Sequence, residues 1–417
     1  MKSLKRTTLF LFCIALAFWS CGGDTAASGG VASDTSTAAA GNATGVTDTE
    51  VKIGSFGPLT GPAALWGNIM KGMDAYFKMI NEEGGINGRQ INFVMKDDAY
   101  DPSRTVPAVR ELVQRDEVFA FVGGIGTAPC MSVQDYIVEE NIPWVSPITG
   151  ATHWSIPMKK NVFSVLPYYI DEAIIQAKYA VENLKSEKIG IIYQNDDVGK
   201  SALIGAKSYL DEKGIQFTAE VPVEITDTDL SSHVAKLKDS GADIVLLWTL
   251  PRQGVITVTN ANVTNFKPQW IASFILSDQA LMHGLTKGAW EGVIYGAFAE
   301  APYNYDNPTI VKYKETLAKY YPDTRWGVFP FAGFLYAEPF VEALRNMGKD
   351  VTREGLITAM ENIKDFKILG LNITYGKDNR QALRAIRLLK CTGAETYENM
   401  SDLIVSDSDI EALAAEL

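Results

Sequence analysis

Few residue sets in this chain have the types and spacing to do chemistry, and most fail on spacing. Gly199-Lys200-Ser201 ends like a phosphate-cradling loop. That loop needs a glycine five positions before Gly199, where Gln194 stands, so the triplet reads as the start of a helix. Gly123-Gly124-Ile125-Gly126 has the glycines of a dinucleotide turn. Pro129 takes the place of the last glycine, and the next strand begins too soon for the acidic residue that would hold a ribose. The segment reads instead as a ligand-binding turn. His153, His233 and His283 lie far apart without metal-ligand spacing, and four cysteines are too few for a disulfide scaffold. No Gly-x-Ser-x-Gly elbow marks a nucleophile. These gaps count against an enzyme, so the chain is expected not to be one and to need no cofactor or metal. Trp66 is a further candidate. It sits in a Gly/Pro-rich loop, off the apolar stripe of the helix that follows, which favours a cleft over a core position.

Such loops must be held by a folded body, and the composition supplies one. The chain has 417 residues, 47% of them hydrophobic and 21% charged, with a net charge of −12. An acidic balance argues against nucleic acid, whose phosphates call for a basic face. The length allows about two domains. After the first 20 residues no stretch is apolar for the ~18 positions that a membrane span needs.

The start of the chain reads as a leader. Lys2, Lys5 and Arg6 precede an apolar run from Leu9 to Trp19, which ends in Ser20-Cys21-Gly22. A small residue before a cysteine at the end of such a run resembles the bacterial lipoprotein signal, which implies that Cys21 becomes the lipidated first residue. Residues 22–49 are small and polar with no aromatic, the composition of a flexible tether. A signal over 1–20 and a tether over 21–50 therefore precede the folded part.

From Val51 onward, short apolar runs alternate with helix-length amphipathic runs. Val51–Ser55, Ile91–Met95, Val118–Val122 and Pro143–Ser146 read as strands. Gly67–Glu83 reads as a helix with Ile69, Met73, Tyr76, Phe77 and Ile80 on one face, stopped by Gly84-Gly85. Asp101-Pro102 is an N-cap followed by proline at the first helical position. The rhythm restarts after Pro167, with strands at Lys188–Tyr193, Gln216–Val221 and Asp243–Trp248 between helices. Two successive βα series predict an α/β fold of two Rossmann-like, doubly wound lobes, with ligands at the carboxyl ends of the strands and the site in the cleft between lobes.

Three passages carry a family resemblance. They are Gly54-Ser-Phe-Gly-Pro-Leu-Thr-Gly-Pro62 with Trp66-Gly67, then Ile80-Asn-Glu-Glu-Gly-Gly-Ile-Asn-Gly-Arg89 with Asp97-Asp98-Ala-Tyr-Asp-Pro102, then Ile191-Ile-Tyr-Gln-Asn-Asp-Asp-Val-Gly-Lys200 with Thr228-Asp229-Leu230. Together they resemble the type I periplasmic binding proteins that feed branched-chain amino-acid ABC importers. The resemblance implies a chain that passes between lobes three times, near 168, 296 and 372. Lobe 1 would be 51–168 plus 297–372, lobe 2 169–296 plus 373–405, and 406–417 a tail. Cys130 and Cys391 would then lie in different lobes as free buried thiols, since a bridge between them would hinder opening.

The resemblance also implies site residues. Thr127 falls at the hydroxyl that holds a ligand carboxylate, with Thr149, Ala151 and Thr152 in the second contact loop and Trp66 covering the ligand's side chain. A strand end followed by a helix N-terminus suits an anion. In the second lobe the contact positions carry Val198, Leu250 and Phe274 where relatives often have aromatic, polar or acidic side chains, and Ser273 and Asp278 are the nearest polar residues. The implied protein is a monomeric, lipid-anchored binding protein of the bacterial envelope. It would close on a small carboxylate-bearing ligand and hand it to ABC permease and ATPase subunits. A branched-chain or other apolar amino acid is the family's ligand, an aliphatic or aromatic acid an alternative. A sensor of the same fold is a second functional reading.

Overall fold

The computed structural model describes residues 43–417. The leader, Cys21 and most of the tether lie outside the described residues.

The first sheet is built from β1 (Glu50–Gly57), β2 (Gln90–Asp97), β3 (Ala120–Val122), β4 (Trp144–Val145) and β5 (Val162–Phe163), in the order β2-β1-β3-β4-β5 and parallel throughout. Parallel strands need long crossovers. Here they include α1 (Gly67–Glu82), α2 (Pro102–Gln114) and α3 (Thr127–Glu139). The apolar face expected of α1 is the face it buries, through Ile69, Met73, Tyr76, Phe77 and Ile80. Asp101 caps α2 as its sequence suggests, accepting from the Ser103 N–H at 2.8 Å.

The second sheet follows α4 (Tyr169–Glu182). It takes in β6 (Ile189–Gln194), β7 (Ala219–Val223), β8 (Ile244–Trp248), β9 (Gln269–Ala272) and β10 (Ile294–Ala297), with α5 (Asp197–Glu212), α6 (Ser231–Asp239), α7 (Pro251–Val263) and α8 (Gln279–Leu285) between them. The chain then returns to the first sheet with α9 (Pro308–Tyr320), α10 (Val328–Met347) and α11 (Arg353–Glu361). A hairpin, β11 (Phe366–Ile368) and β12 (Leu371–Ile373), leads on to β13 (Ala385–Cys391), β14 (Tyr397–Asn399), β15 (Ile404–Val405) and α12 (Ile410–Ala414). The second sheet runs β14-β13-β10-β9-β8-β6-β7, with β15 also on β13. Its last members are antiparallel, a departure from the all-parallel expectation. The two-residue β5 is likewise too short to read from sequence.

The chain thus leaves the first sheet between Phe163 and Tyr169 and comes back after Ala297. The third passage falls later than residue 372. Tyr375 still packs its ring on Phe163 at 5.3 Å and Gln381 still bridges Ser164, so the passage lies between Gln381 and Ala385. The first lobe is tied by the crossing of α1 and α10. A Cβ on Gly72 would stand 1.9 Å from the Pro330 carbonyl, and one on Gly333 2.1 Å from that of Ile69, so only glycine lets the helices touch backbone to backbone. Cys130 and Cys391 are buried and unbridged. Among the described residues no helix is long and apolar enough to cross a membrane.

Candidate functional site

An apolar cleft lies between the two sheets. Its walls are chiefly aromatic and aliphatic, and among the described residues that line it Glu300 alone bears a formal charge. Apolar walls with a few placed polar groups are the usual form of a small-molecule site.

Trp66 ends a 3₁₀ turn, Ala64–Trp66, before α1. Its indole Nε1 donates to the Ile275 carbonyl of the second lobe at 3.0 Å, and its ring lies 5.6 Å from that of Tyr100. Tyr100 is aimed by its backbone. Ala99 and Tyr100 both have left-handed φ values, 52° and 64°, unusual for residues with a Cβ. The buried Asp98 holds that turn, accepting from the Tyr100 N–H at 2.8 Å and from Thr105 Oγ1 at 3.0 Å. Burial pushes the Asp98 carboxyl up to about 6, against the pull of those hydrogen bonds. Gly126, at φ 100°, leaves room for the Tyr100 ring, which a Cβ there would meet at 2.2 Å.

On the opposite wall Tyr169 stacks on Phe274, centroids 5.6 Å apart and planes 27° from parallel. Phe274 is held from behind by Glu172. That carboxylate accepts from the Phe274 N–H at 2.7 Å, Ser273 Oγ at 2.6 Å and Gln176 Nε2 at 3.1 Å, and Gln176 Oε1 in turn accepts from Trp248 Nε1 at 2.9 Å. Burial raises the Glu172 carboxyl to about 8, more than its three donors lower it.

The cleft therefore gathers Trp66 and Phe274 from the residues singled out by sequence. It does not gather the others. Thr127 and Thr149 are buried with their hydroxyls 2.7 Å apart, and Thr149 Oγ1 also accepts from the Ala151 N–H at 3.2 Å. The Tyr169 hydroxyl faces both threonines and the Gly150 N–H. Those contacts lower its pKa against a larger rise from burial, and the net is about 12. The polar end of the Thr127 turn is thus met by a side chain of this protein. Ala151 is in the core with Trp144 and Trp154, and Thr152 opens a buried 3₁₀ turn. Val198 and Leu250 are core residues at the starts of α5 and α7.

Asp278 also has a different place from the one its sequence position suggested. It is 2% exposed and both its oxygens are taken by backbone donors, Oδ1 by Leu281 N at 3.1 Å and Oδ2 by Phe329 N at 2.9 Å. One carboxylate thereby caps α8 of the second lobe and α10 of the first. Burial raises its pKa, and the same N–H groups pull it down. Together with the Trp66–Ile275 bond it fastens the lobes over the cleft.

Sequence reading missed Tyr100, Tyr169, Tyr295, Phe298 and Tyr336. An aromatic shortly after Asp97-Asp98, and another shortly after Pro167, were the available signals.

Comparison with known proteins agrees with this architecture. A family model described as periplasmic binding protein matches residues 50–396. The Leu/Ile/Val-binding protein homolog 2 of Brucella abortus is 26% identical over 79% of this chain and 87% of its own length. Homolog 3 of Brucella melitensis is 30% identical, but over only 47% of this chain and 53% of that relative. Among solved structures, a fatty acid ABC transporter substrate-binding protein from Thermomonospora curvata superposes with a TM-score of 0.79 at 25% identity, over 90% of this chain and 96% of its own. A branched chain amino acid ABC transporter from Thermus thermophilus with bound valine gives 0.77 at 19% identity, over 89% and 99%.

Proposed function

Because the chain belongs to the periplasmic binding protein family, we propose that it is the lipid-anchored, extracytoplasmic substrate-binding component of an ABC importer. It closes two lobes on a small ligand with an apolar body and presents the closed form to permease and ATPase subunits. The observation that carries this reading is the apolar cleft at the meeting of two doubly wound sheets, spanned by the Trp66–Ile275 and Asp278–Phe329 hydrogen bonds. Burying apolar ligand surface between hinged lobes is what drives such closure. The Thermomonospora curvata and Thermus thermophilus neighbours, named for fatty acid and for bound valine, mark the two ligand classes that this reading admits.

Trp66 in the wall makes intrinsic fluorescence a direct reporter. Titration with leucine, valine and decanoate should quench or shift it for at least one ligand, and small-angle scattering should show a smaller radius of gyration with that ligand bound. Tight binding without compaction refutes the clamshell. The anchor is tested separately: palmitate labelling should be lost in Cys21→Ser, and equal labelling refutes it.

A further inference from the structure

The apolar cleft borders a second, more polar hollow, called its mouth below, and the two share part of their lining. Ala299, Glu300, Ala301 and Leu389 line both, and the mouth adds Gly370, Arg387, Tyr397 and Asn399. The sheet explains why. β10 and β13 pair antiparallel with Tyr295 opposite Leu389 and Ala297 opposite Arg387. Residues two apart on a strand share a face, so these four side chains form one strip. Tyr295, Ala297 and Leu389 line the cleft, and Arg387 ends the strip at the mouth.

Arg387 is the group in this strip whose chemistry is unanswered. Its Nε is buried and meets no hydrogen-bond acceptor among the described residues. A buried N–H left unpaired is costly, and a guanidinium presents a planar fork that fits a carboxylate through two hydrogen bonds. Glu300 shares the mouth, but its Oε1 accepts from Asn304 Nδ2 at 2.7 Å on the exposed side. At the far end the Thr127 and Thr149 hydroxyls bond to each other and are faced by Tyr169, and the charge that Tyr169 feels is the Asp196 carboxylate, which does not attract an anionic head group. Of the described residues that line the cleft only Glu300 could answer an ammonium, and an unpaired buried charge is strongly disfavoured.

We propose that the cleft takes an aliphatic monocarboxylate without an amino group, its chain along the Tyr295–Ala297–Leu389 strip and its carboxylate on Arg387 at the mouth. This rests on the substrate-binding reading above and narrows it to a ligand class and a residue that reads the head group.

Calorimetric titration of the full chain with hexanoate, decanoate, palmitate, decan-1-ol, 2-aminodecanoate, leucine and valine tests it. Decanoate should bind more tightly than both the alcohol and the amino acid of the same chain length. Arg387→Gln should weaken decanoate by about tenfold or more, as loss of a hydrogen bond to a charged group implies, while decan-1-ol binding stays unchanged and reports an intact cleft. Arg387→Lys should recover part of the loss. Unaltered decanoate binding in Arg387→Gln overturns the assignment. So does tighter binding of 2-aminodecanoate that Glu300→Gln abolishes, because the mouth would then hold a zwitterion. If leucine or valine binds and no aliphatic acid does, this inference falls and the substrate-binding reading stands. If nothing in the set binds and no compaction occurs, both fall.

Discussion

Replacing Asp278 by asparagine tests whether one carboxylate biases the whole molecule toward closure. In the closed form its two oxygens accept from Leu281 N at 3.1 Å and Phe329 N at 2.9 Å. Only the second bond crosses between lobes, so opening breaks that bond and leaves the α8 cap in place. In Asp278→Asn the side chain would keep one acceptor for the cap and turn an amide donor toward the Phe329 N–H. A hydrogen bond to a charged acceptor contributes roughly 1.5–3 kcal/mol. Part of that is returned because a neutral amide is cheaper to bury than a carboxylate, which places the net change near the lower end, about 1.5 kcal/mol. The closed-to-open ratio should then fall about tenfold, and the apparent Kd should rise by up to the same factor. The assay is a fluorescence titration of both proteins with whichever of decanoate or leucine the native chain binds, alongside scattering of each free and saturated. Thermal melting of the free proteins should differ little, because the α8 cap persists. Equal affinities with equal compaction refute the idea that Asp278 fastens the lobes.

Glu172 predicts a pH effect. Its folded pKa, about 8, lies above the ordinary glutamate value of 4.5, so its stabilising contribution is complete below that ordinary value and is lost as pH rises toward 8. Native stability should fall across that window by at most roughly 5 kcal/mol, and denaturant melts of Glu172→Gln should show a flatter profile; identical profiles would remove Glu172 from the account. Gly333→Val forces a side chain into the α1–α10 crossing, where even a Cβ stands 2.1 Å from the Ile69 carbonyl. It should cost about 3 kcal/mol or abolish soluble expression, and a native-like melting temperature would contradict that close approach. Thr127→Val removes the bond to Thr149 Oγ1 and should cost about 1 kcal/mol in chemical denaturation. Because Thr127 is not in the cleft wall, ligand affinity should change less than it does in Arg387→Gln, and the reverse order would restore Thr127 as the carboxylate anchor.

What the sequence disclosed was what repeats. The apolar stripe of Gly67–Glu82, the Asp101-Pro102 cap and the alternation of strand and helix all follow from local periodicity; the first two stand where they were read, while the strand read at Gln216–Val221 begins only at Ala219. Trp66 was legible because it broke that periodicity. Val198 and Leu250 show the opposite case. Their positions were matched through a family's contact loops, and here both side chains turn into the core at helix starts. Tyr100 depends on two consecutive left-handed residues, a conformation that neither alanine nor tyrosine signals. Arg387 depends on which strand lies opposite β13, and antiparallel pairing after so long an excursion leaves no local mark.

The interleaving of the lobes also bears on how the chain reaches this state. α1 is made early, yet its backbone partner α10 begins at Val328, and Asn87 donates to the Leu344 carbonyl across 257 residues. The second sheet has β10 as an open edge until β13 arrives at Ala385. Neither half can finish its core while the other is still being delivered, so a chain emerging N-terminus first must hold unpaired apolar surface until its closing strands appear. Loop closure on that scale is slow, and partly collapsed intermediates with open strand edges tend to aggregate. An architecture whose two lobes are joined by three passages of the chain therefore favours late, concerted folding over stepwise maturation of independent modules.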